Sequence, residues 1–163
     1  MKEEILDHYL VNSRTMALLS VAHMDYSTIV LEEDRQLFVR QTPTQIVKAS
    51  CLEGGSTYDG RRSAVTYHTG SKQKVPIPIS PHEDIFAFPT HSPTDFRCNW
   101  LFFKHVKYIS TFIPPGETTR QSSITFHNGQ TITLNESHYV LEKQMQRTAM
   151  CILCFAPKRP TRV

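Results

Sequence analysis

The chain of 163 residues carries few groups with reactive chemistry. Its four cysteines are Cys51, Cys98, Cys151 and Cys154. Cys151 and Cys154 have the spacing of half a zinc site, which Cys98 and His105 or His138 would have to complete, since a structural zinc takes four ligands. No second close pair exists, so no metal is expected, and two buried thiols one turn apart on a helix is the simpler expectation. A thiol nucleophile at Cys51 with His91 or His105 as base is conceivable because such pairs meet in space. Cys51 instead ends an apolar helical turn, a setting for packing. His23, His68, His82 and His127 lack ligand-like spacing. No Gly-rich loop followed by Lys-Ser/Thr occurs, and Gly54-Gly55 lacks dinucleotide-binding spacing. The residues therefore point to no enzyme and no cofactor.

What remains is charge. The total is only +3 and 39% of residues are hydrophobic, a balance suited to one globular core. Residues 1–34 hold seven acids against Lys2 and Arg14, for −5. Residues 35–74 reverse the sign, with Arg35, Arg40, Lys48, Arg61, Arg62, Lys72 and Lys74 against Glu53 and Asp59, for +5. A polyanion-binding surface needs such asymmetry, because several cations on one face attract phosphates beyond contact distance. No run of eighteen apolar residues occurs, and the opening MKEEILDHYL is no basic-then-apolar leader, so neither membrane nor secretion is expected. The expected compartment is the cytoplasm, with reduced thiols.

The elements that must position these cations read as α+β: a single domain over 1–156, mainly antiparallel β with a short central helix and a C-terminal helix, then a basic flexible tail over 157–163. Tyr9 to Val21 is a β-rich stretch broken at Asn12-Ser13, and Tyr26 to Leu31 pairs with Gln36 to Arg40 across Glu32-Glu33-Asp34. Thr44 caps a short helix ending at Gly54-Gly55, with Pro43 just outside. Tyr58 to Arg62 reads as a turn leading into a helical segment that Gly70 closes. Pro76, Pro78, Pro81, Pro89 and Pro93 exclude a long helix and suggest extended pieces at 75–79 and 85–88, on a sheet edge or crossing over the body. Asn99 to Ile113 is one bent strand or two. In FHNGQTITL, a three-residue His127-Asn128-Gly129 loop with Gly129 at positive φ pairs Ile124 with Ile132 and puts Ile124, Phe126, Ile132 and Leu134 on one face. Asn135 or Ser137 caps a last helix with a Leu141, Met145, Thr148 and Ile152 stripe, while Lys143 and Arg147 point together on another side.

QIVKASC at 45–51, SCLEGGSTYDGRR at 50–62, FPTHSP at 88–93, CNW at 98–100, FHNG at 126–129 and QRTA at 146–149 together resemble the ComK family of competence transcription factors. The resemblance implies a cytoplasmic activator that binds paired A/T-rich boxes from the minor-groove side, bends the DNA and acts as a dimer or pair of dimers. The family pattern falls on Ser50, Cys51, Gly55, Tyr58, Gly60 and Arg61, with Arg62 keeping the basic character. On this reading Arg61, presented by a turn at Gly60, enters a narrow A/T groove of enhanced negative potential. Its alternative is a salt bridge to Asp59 or another acid. Arg62, Lys48, Lys72, Lys74, Arg40 and Arg147 hold phosphates. Gly60, Gly129 and Trp100 are structural, Trp100 in the core or at a dimer contact. Relatives usually continue past the QRTA helix into a patch used by a proteolytic adaptor, and this chain looks like a shortened member, which bears on adaptor binding and activation. The alternative function is a non-enzymatic interaction protein that pairs with a partner without activating transcription.

Overall fold

A computed structural model describes residues 4–158. Most of the basic tail therefore lies outside the described residues. Ten strands and three helices form one α+β domain. The strands are β1 (Ile5–Leu6), β2 (Thr15–Ser20), β3 (Thr28–Glu32), β4 (Gln36–Val39), β5 (Ile77–Ser80), β6 (Ile85–Pro89), β7 (Trp100–Phe102), β8 (Val106–Phe112), β9 (Gln121–Phe126) and β10 (Thr131–Leu134). The helices are α1 (Pro43–Glu53), α2 (Tyr58–Thr69) and α3 (His138–Phe155).

Seven strands make one sheet in the order β1-β4-β3-β2-β7-β6-β5, and β10-β9-β8 make a second. Every described pair is antiparallel except β1 with β4. The larger sheet is buried on both faces, and because successive side chains point to opposite faces its central strands are continuous apolar runs. Leu18, Val30 and Trp100 are lateral neighbours on one face and pack with Ile46, Val47 and Cys51 of α1 and Tyr58 of α2. Ala17, Leu31 and Leu101 form the row on the other face, against Ile109, Ile124 and Phe126 of the small sheet and Leu141 of α3. A third cluster joins Val65 of α2, Phe86 of β6 and Cys151 of α3. Trp100 is fully buried and its indole N–H donates to the Thr44 hydroxyl at 3.2 Å, so its place is the core.

Several expectations hold. β3 and β4 pair across the acidic turn. In the late hairpin Ile124 faces Ile132, Gly129 has φ of 92°, and Ile124, Phe126 and Leu134 are buried together. The 99–113 stretch becomes two strands, β7 and β8, divided between the two sheets. Proline-bearing β5 is an edge strand, where a missing N–H costs nothing in the ladder. β6 beside it is an interior strand, a correction to the edge-or-crossover expectation.

Other corrections have local causes. α1 is capped by Thr42 rather than Thr44, with Pro43 inside its first turn: the Thr42 hydroxyl accepts from Gln45 N–H and the Gln45 side chain accepts from Thr42 N–H. Thr44 instead donates to the Pro93 carbonyl at 3.0 Å. The 9–21 stretch is broken at Asn12-Ser13 as expected, where Asn12 folds back onto the Arg14 and Thr15 region, and only its second part is a strand, β2. On α3 the buried positions are Leu141, Gln144, Thr148 and Cys151, so Met145 and Ile152 flank the stripe rather than define it. Cys154 is exposed, unlike its helix neighbour Cys151.

Glu32, at the end of β3 beside Tyr9 of the first cluster, is a buried carboxylate. Glu32 accepts from the Tyr9 hydroxyl, from Arg35 at 2.7 Å and from the Asn12 amide at 3.2 Å. Burial pulls its pKa up, but those three donors outweigh burial and hold it below the ordinary carboxylate value of 4.5. A depressed folded pKa means stability that is present above that value and lost as pH falls through the folded value. Urea titration should show the midpoint falling as pH drops below the ordinary value of 4.5, with a shallower fall in Glu32→Gln, whereas equal slopes would remove Glu32 from the cause. Gly129→Val should cost roughly 1 to 3 kcal/mol in the same assay, because a β-branched residue is strained at positive φ.

Candidate nucleic-acid interface

The SCLEGGSTYDGRR segment folds as a tight joint between α1 and α2. Gly54 ends α1, its N–H donating to the Ser50 carbonyl at 3.1 Å, and a Cβ there would stand 3.0 Å from the Ile79 carbonyl oxygen of β5. Thr57 then caps α2 by accepting from Gly60 N–H at 2.9 Å. A Cβ on Gly60 would meet that same hydroxyl at 2.9 Å, so Gly60 permits the cap. Residues 58–62 are thus the first turns of a helix, a correction to the turn expected there.

This geometry changes what Arg61 does. Its side chain is turned back to α1, where Nη2 donates to the Gly54 carbonyl at 3.5 Å, and Nε is buried without a partner. Among the described residues it forms no ion pair with an acid. A guanidinium placed on the carbonyl end of α1 complements the helix dipole, which makes Arg61 part of the joint. Its neighbour Arg62 is exposed and donates to the Lys72 carbonyl at 3.1 Å.

From Arg62 a run of contacts connects the other predicted cations. Lys48 of α1 places Nζ 5.5 Å from the centroid of the Tyr58 ring, and the charge of Arg62 also acts on that phenol. Burial pushes the Tyr58 phenol up to about 12 in spite of Arg62. The loop from α2 to β5 carries Lys72 and Lys74, and the Lys74 carbonyl accepts from the Gln144 amide of α3 at 2.9 Å. The Gln144 oxygen in turn accepts from Arg147 at 3.1 Å. Lys48, Arg62, Lys72, Lys74 and Arg147 therefore belong to one band of segments, α1, α2, the α2–β5 loop and α3, that these contacts tie together. Among the described residues none of the five is paired with a carboxylate. The Tyr58 ring steadies Lys48, the Lys72 carbonyl holds Arg62 and the Gln144 side-chain oxygen holds Arg147, contacts that leave those charges uncompensated.

Among the described residues four arginines elsewhere are paired with acids, whereas Lys104, Lys107, Arg120 and Lys143 are, like the five, in no ion pair. Arg40, one of the predicted phosphate contacts, pairs with Asp7 at 2.8 Å and donates to the Asp25 carbonyl beside β4, outside the band. Arg35 is held by Glu32, Arg14 by Asp34 and Arg97 by Asp95. The block from 35 to 74 thus divides between Arg35 and Arg40, neutralised at the two ends of β4, and Lys48, Arg62, Lys72 and Lys74, unpaired on α1, α2 and the loop after α2. Sequence reading missed Gln144, whose amide links the loop to α3; a polar residue within an apolar stripe was the available signal.

The remaining chemical candidates separate in space. Cys51 is buried in the cluster under α1, and burial pushes its thiol up to about 11, the wrong direction for a nucleophile. Cys98 belongs to that cluster and Cys151 to another, so the four-ligand arrangement considered for zinc is not assembled. Their thiols are likewise raised by burial, Cys98 to about 11 and Cys151 to about 12.

The ComK family model, described as ComK protein, matches residues 6–159. The chain belongs to the ComK family. A curated relative, the competence transcription factor of Bacillus subtilis (strain 168), is 35% identical over 146 residues, covering 88% of this chain and 73% of the relative. No solved structure matches. No described helix is long and apolar enough to cross a membrane.

Exposure makes a chemical test of the thiols direct. Iodoacetamide at about pH 8 should label Cys154 alone in the native protein and all four cysteines in urea. Native labelling of Cys51 would reopen the nucleophile.

Proposed function

We propose that this chain is a transcription factor of the competence class that binds duplex DNA through the band of Lys48, Arg62, Lys72, Lys74 and Arg147. The observation that carries the reading is the uncompensated charge of those five side chains beside a family whose curated relative is a competence transcription factor. Cations already neutralised by carboxylates release few counterions from DNA, whereas free ones on a rigid helical layer release one for each phosphate engaged. Their work is affinity and register rather than base choice.

The finer part of the proposal is binding to A/T-rich boxes from the minor-groove side, as a dimer or pair of dimers in the cytoplasm. It is supported by the family resemblance and by the enhanced negative potential of narrow A/T grooves, which favours an exposed arginine. Arg62 is better disposed for that role than Arg61, because Arg61 is committed to the α1–α2 joint.

Gel-shift titration on A/T-rich and G/C-rich duplexes, at several salt concentrations and with mass measured in the same buffer, tests each part. Affinity should fall linearly on a log-log salt plot, and each of Lys48→Ala, Lys72→Ala and Lys74→Ala should lower the slope by about 0.9. Arg40→Ala should leave both affinity and slope unchanged. Arg62→Ala should reduce A/T preference, and Arg61→Ala should weaken both duplexes alike by loosening the joint. Selective A/T loss in Arg61→Ala would return groove insertion to that residue. A salt-independent association, or none, would favour the protein-partner role.

A further inference from the structure

A cavity of about 420 Å³ lies among the end of β2, the 91–99 loop and the segment joining β10 to α3. Its wall includes His91, Phe96, Arg97, Asn99, Asn135 and Glu136. None of the five band cations lines it. The volume is within the range of built small-ligand sites.

Glu136 is the feature that calls for a guest. Its side chain is only 9% accessible, with Oε1 3.1 Å from His91 Nδ1, and Oε2 is buried without a hydrogen-bond partner. A desolvated carboxylate with half its acceptor capacity unmet is costly unless a donor reaches it. Arg97 does not supply that donor, because Asp95 binds its Nε at 3.2 Å and its Nη2 at 2.8 Å. Reception of a guest by both oxygens requires a turn about the soft terminal torsion of Glu136 away from His91, which brings Oε2 to the cavity.

We infer that this cavity is a guanidinium site, with Glu136 as the carboxylate that receives the group. Charge selects a cation: Glu136 is the carboxylate of the wall, with Oε1 beside His91 and Oε2 without a donor, while the wall's Arg97 is neutralised by Asp95. Geometry selects a planar one. Two parallel N–H donors match a carboxylate, and the ring of Phe96, 80% exposed at the rim, offers a stacking face for a flat cation. Two side-chain oxygens are fixed to accept the remaining donors. Asn99 Oδ1 already accepts from Ser20 N–H at 2.8 Å and Asn135 Oδ1 from Gln121 at 3.0 Å, and each carbonyl oxygen has a second lone pair. The guanidinium comes either from an arginine side chain of a protein or from a free guanidine of low mass.

The test is titration of the full chain, isotope-labelled, with L-argininamide, lysinamide, guanosine and a capped peptide containing one arginine. The side-chain amide resonances of Asn99 and Asn135 should shift saturably with the guanidinium probes, with a Kd on the order of 1 mM. Tighter binding of the peptide assigns a protein-borne arginine, and equal binding assigns the free guanidine. Lysinamide should bind at least about fivefold more weakly. Glu136→Gln should weaken argininamide binding by about tenfold, and Phe96→Ser at the exposed rim, which serves if the first variant loses its native spectrum, by about threefold. Absence of saturation, unchanged affinity in the natively folded variants, or preference for guanosine would overturn the site.

Discussion

The buried amide of Gln144 is the contact on which the arrangement of helices and loop depends. Its nitrogen donates to the Lys74 carbonyl at 2.9 Å and to the Pro89 carbonyl at 2.8 Å, while its oxygen accepts from Arg147. Both carbonyls belong to segments that reach the core without a complete ladder of their own, one before β5 and one at the end of β6. Buried carbonyls require donors, and an amide supplies two in a fixed fork. Loss of both would leave two desolvated acceptors at roughly 1 to 3 kcal/mol each. The same amide sets where the α2–β5 loop crosses α3, and therefore where Lys72 and Lys74 stand relative to Arg147.

That constraint gives the electrostatics their form. Net charge is small, so binding to a polyanion cannot rest on overall attraction and must rest on where compensation is withheld. In the segments flanking β2 and β4, carboxylates pair with Arg14, Arg35 and Arg40 and neutralise them. Along α1 and α2 the side chains are instead steadied by carbonyls and by the Tyr58 ring, contacts that order a cation without removing its charge. The α1–α2 joint contributes rigidity: two glycines allow close approach to β5 and to the Thr57 cap, and Arg61 closes the carbonyl end of α1.

Legibility followed the range of the interactions. The late hairpin could be read to the residue because the parity of Ile124, Phe126, Ile132 and Leu134 admits only one register with an apolar face. The start of α1 was misread by two positions, since Thr42 and Thr44 are both competent caps and the choice was made by Trp100 and Pro93, which claim Thr44 from elsewhere in the chain. The DGRR segment was misread as a turn because Gly60 suggests one, whereas the small residue is required there by a cap three positions earlier. Arg40 was grouped with the phosphate contacts because nothing near it in sequence showed that β1 would bring Asp7 alongside.

By itself the sequence determined the mixed α+β class, the hairpin register, the last helix, the block of positive charge and the family motifs. These are local or periodic properties, written in neighbours a few residues apart. Tertiary structure alone decided which cations keep their charge, that Arg61 turns inward, and that Glu136 is enclosed beside Phe96. Each of those outcomes depends on a partner far along the chain, and the free energy of a charge is set by what surrounds it in space.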